Sequence, residues 1–285
     1  MDAQRVAEQL AGGARLQRLT MGEHRAGKNQ VYRIFDDTGS RILKIYGTPA
    51  RDRREAHALG ALDGCVGIPE VLTRGIEGDT HWAIIADSGR WDLATLPENT
   101  GLARRSGEIL RNIHDTAPAE MSNLSRGIDQ EWVEVDFQST FRRLERYRSR
   151  VGVSIDLLRA AAETQPPHAS EPRASHTDPS PKNFLVDDDG EITLVNWQWA
   201  TLAPPEWDLS KAVWLIGTTL GPVAAEAFME GYGAKMSAAA LDRWIVYHTG
   251  MALVFEAESM THATPAAYAQ LVSELQRAVS GASVG

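Results

Sequence analysis

The chain has 285 residues, 43% hydrophobic and 24% charged, a length for roughly two domains or one two-lobed unit and a balance that excludes disorder throughout. Its 38 acidic against 29 basic residues leave a net charge of -9, which argues against a nucleic-acid partner bound by phosphate neutralisation. One cysteine, Cys65, excludes an internal disulfide, the histidines show no metal-ligand spacing, and no apolar run spans a bilayer, so a reduced, cytoplasmic protein without structural zinc or membrane partner is expected.

In chain order, the first turns carry Asp2, Arg5 and Glu8 and lack the apolar stretch of a signal peptide. Arg15–Met21 and Gln30–Phe35 read as strands joined by the Gly-containing GEHRAGKN. Arg41–Tyr46 reads as a third after the turn at Asp36–Gly39, all three being antiparallel neighbours. Ala56, Leu59 and Leu62 at i, i+3 and i+6 predict a helix over Ala50–Leu62. Two short apolar runs, Glu70–Thr73 and Trp82–Ala86, end at Asp87-Ser88-Gly89, where a boundary separates an N-terminal lobe, 1–88, from a C-terminal lobe, 89–285. Beyond it the chain turns helical. Leu102, Ile109, Leu110 and Ile113 mark one helix face over Leu102–His114, and Glu131–Arg150 interleaves aromatic and charged residues. Pro166–Ser175 reads as loop, Phe184–Val186 and Ile192–Val195 as strands around an Asp-Gly turn, and 206–218, 222–232, 237–260 and 265–280 as helices. The class is α+β, a small β-rich lobe before a larger α-rich one. Residues 186–285 hold 4 basic and 12 acidic residues, which suits a cationic ligand or simply a solvated acidic surface.

Two familiar patterns fail on context. Gly22–Asn29 reads G-x-x-x-x-G-K-N, whereas a P-loop ends in Ser or Thr and leads into a helix, not a strand. Gly281–Gly285 matches GxSxG without the flanking strand and helix of a nucleophile elbow. A glycine-containing turn between strands can still cover phosphates, with Gly27 and Lys28 as the candidates and a plain hairpin as the alternative. Lys44 lies between Leu43 and Ile45 in an apolar strand, where a lysine is costly without a counter-charge. Glu55 on the next helix can supply that charge; a snorkelling lysine and a solvated glutamate form the plainer reading. The richest segment is Ser175–Trp199, SHTDPSPKNFLVDDDGEITLVNWQW, with His176, Asp178 and Asn183 in H-x-D-x-x-x-x-N and Asn196-Trp197 after a hairpin. Phosphoryl transfer needs a carboxylate near the acceptor hydroxyl, an oxygen ligand for magnesium on the same loop, and a second ligand after a short hairpin. Asp178, Asn183 and Asn196 have that order.

On these segments the chain resembles the aminoglycoside phosphotransferase and choline kinase-like superfamily, relatives of protein kinases. The likeness runs through GEHRAGKNQVYRI, RILKIYG, REAHAL, ILRNIHD, SHTDPSPKNFLVDDDG, VNWQWA and PPEWDLSKAVW. It implies a bilobal protein-kinase-like fold with ATP and Mg2+, the nucleotide lying near Ile84–Ser88 beside Ile85 and Asp87. It further implies that Lys44 contacts phosphates, Glu55 orients Lys44, and Asp178 accepts the hydroxyl proton, with His176 on the same loop as a further catalytic candidate. Asn183 and Asn196 would face the metal, and Asp208 would brace the loop. The implied activity is transfer of the γ-phosphate to a hydroxyl of a small, antibiotic-like molecule. A peptide Ser/Thr kinase working with a biosynthetic partner protein and a non-catalytic pseudokinase are the alternatives.

The chain departs from that pattern at Thr177, usually Gly, at Ser180, usually His, and at Asn196, usually a metal-binding Asp. Asparagine keeps an oxygen but loses the charge, so weaker magnesium binding is expected. Lys182, where small-molecule relatives carry Gly, is expected either to neutralise the transferring phosphoryl group or to sit in solvent. Of Trp197, Trp199, Trp207, Trp214 and Trp244, most are expected in the core and one or two at an acceptor pocket, with His114 a packed helix-end residue.

Overall fold

The computed structural model describes residues 3–20, 28–37, 39–97, 99–116, 127–233, 235–259 and 264–283. The N-terminal lobe runs α1 (Ala3–Ala11), β1 (Arg15–Arg18), β2 (Gln30–Asp36), β3 (Gly39–Ile45), α2 (Pro49–Ala61), β4 (Val71–Glu77) and β5 (Thr80–Ala86). Its strands form one five-stranded antiparallel sheet in the order β1-β2-β3-β5-β4, so β3 is central. Successive side chains of a strand point to opposite faces. Tyr32, Ile34, Leu43, Ile45 and Ile84 therefore share one face and bury it against Val6 and Ala7 of α1. Lys44 falls on the opposite face with Tyr46, Ala83 and Ile85, in register with Val31 and Ala83. Helix α2 begins where Thr48 caps the Arg51 N–H and Pro49 takes the first turn. Helix α1 was not expected: it is short, and few large apolar residues mark its buried face. The first strand ends at Arg18, sooner than expected, and Met21 lies outside the described residues.

Residues 87–90 carry the chain across. Gly89 is fixed twice over, by φ +128 and by the Val186 carbonyl 2.4 Å from where a Cβ would stand. The C-terminal lobe continues with β6 (Trp91–Asp92), α3 (Thr100–Asp115), α4 (Gln130–Val151), α5 (Ile155–Glu163), β7 (Arg173–Ser175), β8 (Phe184–Val186), β9 (Ile192–Leu194), β10 (Thr201–Ala203), α6 (Pro205–Leu220), α7 (Pro222–Tyr232), α8 (Ala238–Glu258) and α9 (Pro265–Ala282). The segment expected to be loop, Pro166–Ser175, instead ends in β7, which pairs antiparallel with β10. Both partners have only three residues, too few to display alternation. One core gathers α3, α6 and α7 around β8 and β9; another gathers α4, α8 and α9. Among the described residues no helix is long and apolar enough to cross a membrane.

His248 of α8 sits in the second core, ringed by Trp207 at 5.3 Å and Trp244 at 5.8 Å, with Nε2 3.0 Å from Ser210 Oγ. Burial pushes its imidazole down to about 3 from the ordinary 6.5. The folded chain keeps His248 neutral while the unfolded chain binds a proton below about pH 6.5, so its stability contribution is whole above that pH and is lost as pH falls toward 3. Buried His176, also shifted down, acts in the same direction. Denaturant melts between pH 7.5 and 5.5 should show stability falling with acidity, by up to ~1.4 kcal/mol per pH unit for each such histidine. His248→Gln should flatten that slope, and a slope equal to the wild type's would refute the assignment.

Candidate active site

The loop after β7 is tied to α6. Asp208, in the first turn of α6 and fully buried, accepts the His176 N–H at 2.7 Å and the Thr177 N–H at 2.8 Å; His114 Nε2 lies 3.3 Å away. Burial opposes its charge, but the bond and charge of His114 and the neighbouring His176 outweigh it and hold the carboxyl below its usual range. His114 is therefore more than a packed helix end: its Nδ1 meets the Tyr232 hydroxyl at 2.7 Å, making a bridge from α7 to Asp208.

Thr177 and Asn196 are the non-glycine residues at positive φ among the described residues, at 64° and 78°. For a β-branched threonine this is a strained backbone state that the surroundings must hold. Four groups hold it: Asp208 takes its N–H, its Oγ1 donates to the Trp199 carbonyl at 2.8 Å, and its own carbonyl accepts from Trp207 Nε1 at 3.4 Å and Lys211 Nζ at 3.2 Å. The expectation that His176 works beside Asp178 needs correction. It is wholly buried, with Nε2 2.8 Å from the Val195 carbonyl and Nδ1 accepting the Asp178 N–H at 3.2 Å. Those contacts fit a neutral ring protonated at Nε2 that positions the loop without reaching a ligand.

From Asp178 a line of contacts crosses to the N-terminal lobe. Asn183, in the single turn Pro181–Asn183, donates to the Asp178 carbonyl at 2.7 Å and lies 3.4 Å from its Oδ2. Asn196 Nδ2 reaches Asn183 Oδ1 at 3.4 Å, and Asn196 Oδ1 accepts from Lys44 Nζ at 3.0 Å. Lys44 Nζ stands 2.7 Å from Glu55 Oε2 and donates to Oε1 at 2.9 Å, both side chains buried. Glu55 Oε1 also accepts the Trp197 N–H at 3.2 Å. Strand alternation, a helix start and a hairpin thus bring Lys44, Glu55, Asn196, Asn183 and Asp178 together.

The remaining expectations separate. Lys28 is exposed, and Gly27 lies outside the described residues. Ile85 is buried on the Lys44 face of the sheet. The Asp87 carboxylate is occupied by Arg33 Nε at 2.6 Å and the Ser40 hydroxyl at 2.6 Å. Lys182 is exposed on its loop, and the lysine beside the candidate base is another one: Lys211 of α6, whose Nζ is 2.8 Å from Asp178 Oδ1. Sequence reading missed Lys211, although its place three residues after Asp208 on a helix puts both on one face. It also missed Asn29, whose Oδ1 accepts the Gly47 N–H at 2.9 Å and whose Nδ2 donates to Gln198 Oε1. Trp199 adds to this seam, with the guanidinium groups of Arg51 and Arg54 from α2 lying 4.9 and 5.7 Å from its ring centre.

Asn183 and Asn196 have neutral oxygens of the hard type magnesium takes, engaged here by Asn196 Nδ2 and Lys44 Nζ, with fewer carboxylates than such sites usually carry. The donors fit magnesium in kind but not in charge. Among the described residues no cluster of three or more His, Cys, Asp or Glu is arranged to hold a metal.

No curated protein matches the chain. Among solved structures it is similar to a thermostable aminoglycoside phosphotransferase mutant with ADP and hygromycin B, 14% identical, TM-score 0.69, covering 99% of each chain. It is similar to a spectinomycin phosphotransferase with ADP and spectinomycin, 15% identical, TM-score 0.64, over 99% of this chain and 98% of that one. A choline/ethanolamine kinase family protein from Mesorhizobium loti is 19% identical, TM-score 0.64, over 100% of each. These likenesses show the bilobal kinase-like fold. A family model for the phosphotransferase enzyme family matches residues 24–244, and the chain belongs to that family.

Proposed function

We propose that the protein transfers the γ-phosphate of ATP to a hydroxyl of a small molecule, with Asp178 as the base. The observation that supports this best is the unbroken line of contacts from Glu55 and Lys44 through Asn196 and Asn183 to Asp178. Lys44, kept in place by Glu55, is the group to bind phosphates. Asp178 takes the acceptor's proton while the acceptor oxygen bonds to the γ-phosphorus, the bond to the bridging oxygen breaks, and its electron pair leaves with ADP. Asn183 and Asn196 would hold magnesium, which when bound neutralises phosphate charge. Trp132, 38% exposed and 5.9 Å from Trp207, gives the acceptor side an aromatic wall, since Trp207 also donates to the Thr177 carbonyl. The test is ADP formation from MgATP with a panel of hydroxylated acceptors, including hygromycin B, spectinomycin and choline. Acceptor-stimulated ADP formation is expected, and a protein that does not bind nucleotide sinks the reading. A second reading, nucleotide binding without transfer, is favoured by Asn196 and would show as binding without ADP.

Asn196→Asp should tighten apparent magnesium affinity about tenfold by returning a charged oxygen to the shell. Titrating magnesium against nucleotide binding checks this. An unchanged affinity would place residue 196 outside the metal shell.

A further inference from the structure

Two lysines, from opposite lobes, converge on the site. Lys44 has Glu55; Lys211, from α6, has Asp178, with Nζ 2.8 Å from Oδ1 and donating to the Thr177 carbonyl at 3.2 Å. The second pair is half open, its side chains 24% and 36% exposed, so a ligand that reaches Asp178 also reaches Lys211. Lys44, Glu55, Asp178 and Lys211 are the charged side chains along this line, and their formal charges cancel. With Asn196 where a carboxylate would add negative charge, the line brings no net charge to the magnesium that Asn183 and Asn196 would hold, yet it keeps a cation beside the base.

We propose that Lys211 is a second cation of the transfer centre, which positions the Asp178 carboxylate and takes over, toward the transferring phosphoryl group, part of the charge neutralisation that an acid at 196 would bring in as metal. This rests on the phosphotransferase reading above. As Asp178 receives the acceptor's proton it becomes neutral, and Lys211, keeping its own proton, loses its counter-charge. The negative charge is then on the phosphoryl oxygens and on the ADP oxygen that received the electron pair. Lys211 turns to them without any bond to it forming or breaking. The strained carbonyl of Thr177, which also accepts from Lys211, holds the ammonium near this place before and after.

The test compares ATPγS affinity by calorimetry in Mg2+ and in EDTA for wild type, Lys211→Met, Lys211→Arg and, as a surface-charge control, Lys235→Met. The wild type and the control should lose less than about tenfold on metal removal, and Lys211→Met on the order of 100-fold, with Lys211→Arg near the wild type. Acceptor-dependent ADP formation from MgATP should split likewise: kcat falls about 100-fold in Lys211→Met with KM for ATP within about threefold. A residue that serves only the fold would leave the ratio of the two affinities alone. Equal ratios in wild type and Lys211→Met overturn the proposal, as does a kcat that rises when a lysine that merely ties up the base is removed. Should Lys211→Met fail to fold, Lys211→Gln carries the same measurements. A wild type that binds ATPγS in neither buffer removes the phosphotransferase reading itself, and the proposal with it.

Discussion

Asp178→Ala is expected to lower kcat by about 100- to 10,000-fold, the range of a positioned general base, while ATP affinity stays within about threefold. The separation follows from geometry. Asp178 touches Lys211 and Asn183, whereas the phosphate-binding candidate Lys44 is held by Glu55 and Asn196, two contacts further along. Single-turnover transfer and nucleotide calorimetry on one preparation decide it. Transfer at the wild-type rate would remove Asp178 from the chemistry. Loss of nucleotide binding with loss of rate would instead mean that the residue organises the phosphate site.

Asp208→Ala should be the most destabilising single change in the C-terminal lobe. It strands the buried backbone N–H of His176, the part-buried N–H of Thr177 and the buried His114 ring nitrogen. Each unsatisfied buried donor costs about 1–3 kcal/mol, so a loss of roughly 3–5 kcal/mol follows, a drop in Tm on the order of 10 °C. Without the brace only the Trp199, Trp207 and Lys211 contacts offset the left-handed strain at Thr177, so the loop should relax and carry Asp178 away from Asn183. A melting midpoint within about 2 °C of wild type would show that the loop has other supports. The carboxylate's depressed pKa sets the acid side. Its contribution is whole above the ordinary carboxylate value and fades as pH falls through the lower folded one.

How much of this was legible in the sequence depends on how far apart the partners lie. The β2, β3 and β5 segments alternate with period two, so the face of Lys44 and its need for Glu55 could be read from eleven residues of chain. Asp178, Asn183 and Asn196 lie on one loop and hairpin, where order in sequence is nearly order in space. The pairing of β7 with β10 brings Ser175 to Thr201 between segments too short and polar to announce themselves. Lys211 was missed because its partner Asp178 is 33 residues away and only the packing of α6 under the loop brings them together. Lys182, closer in sequence, is exposed on its loop. The brace role of Asp208 came from resemblance, since a lone acid in PEWDL carries no local sign of the three donors it meets.

The stacking of Arg51 and Arg54 on Trp199 has an optical consequence. The indole belongs to the C-terminal lobe and both guanidinium groups to α2, so any movement of α2 away from that lobe must pull the cations off the ring. Trp197, Trp207, Trp214 and Trp244 are buried, whereas Trp199 is 43% exposed. Its emission is therefore the solvent-facing one in this group that lies beside cations of α2. The protein carries, beside its candidate phosphate site, a native fluorophore for the seating of α2 against the C-terminal lobe.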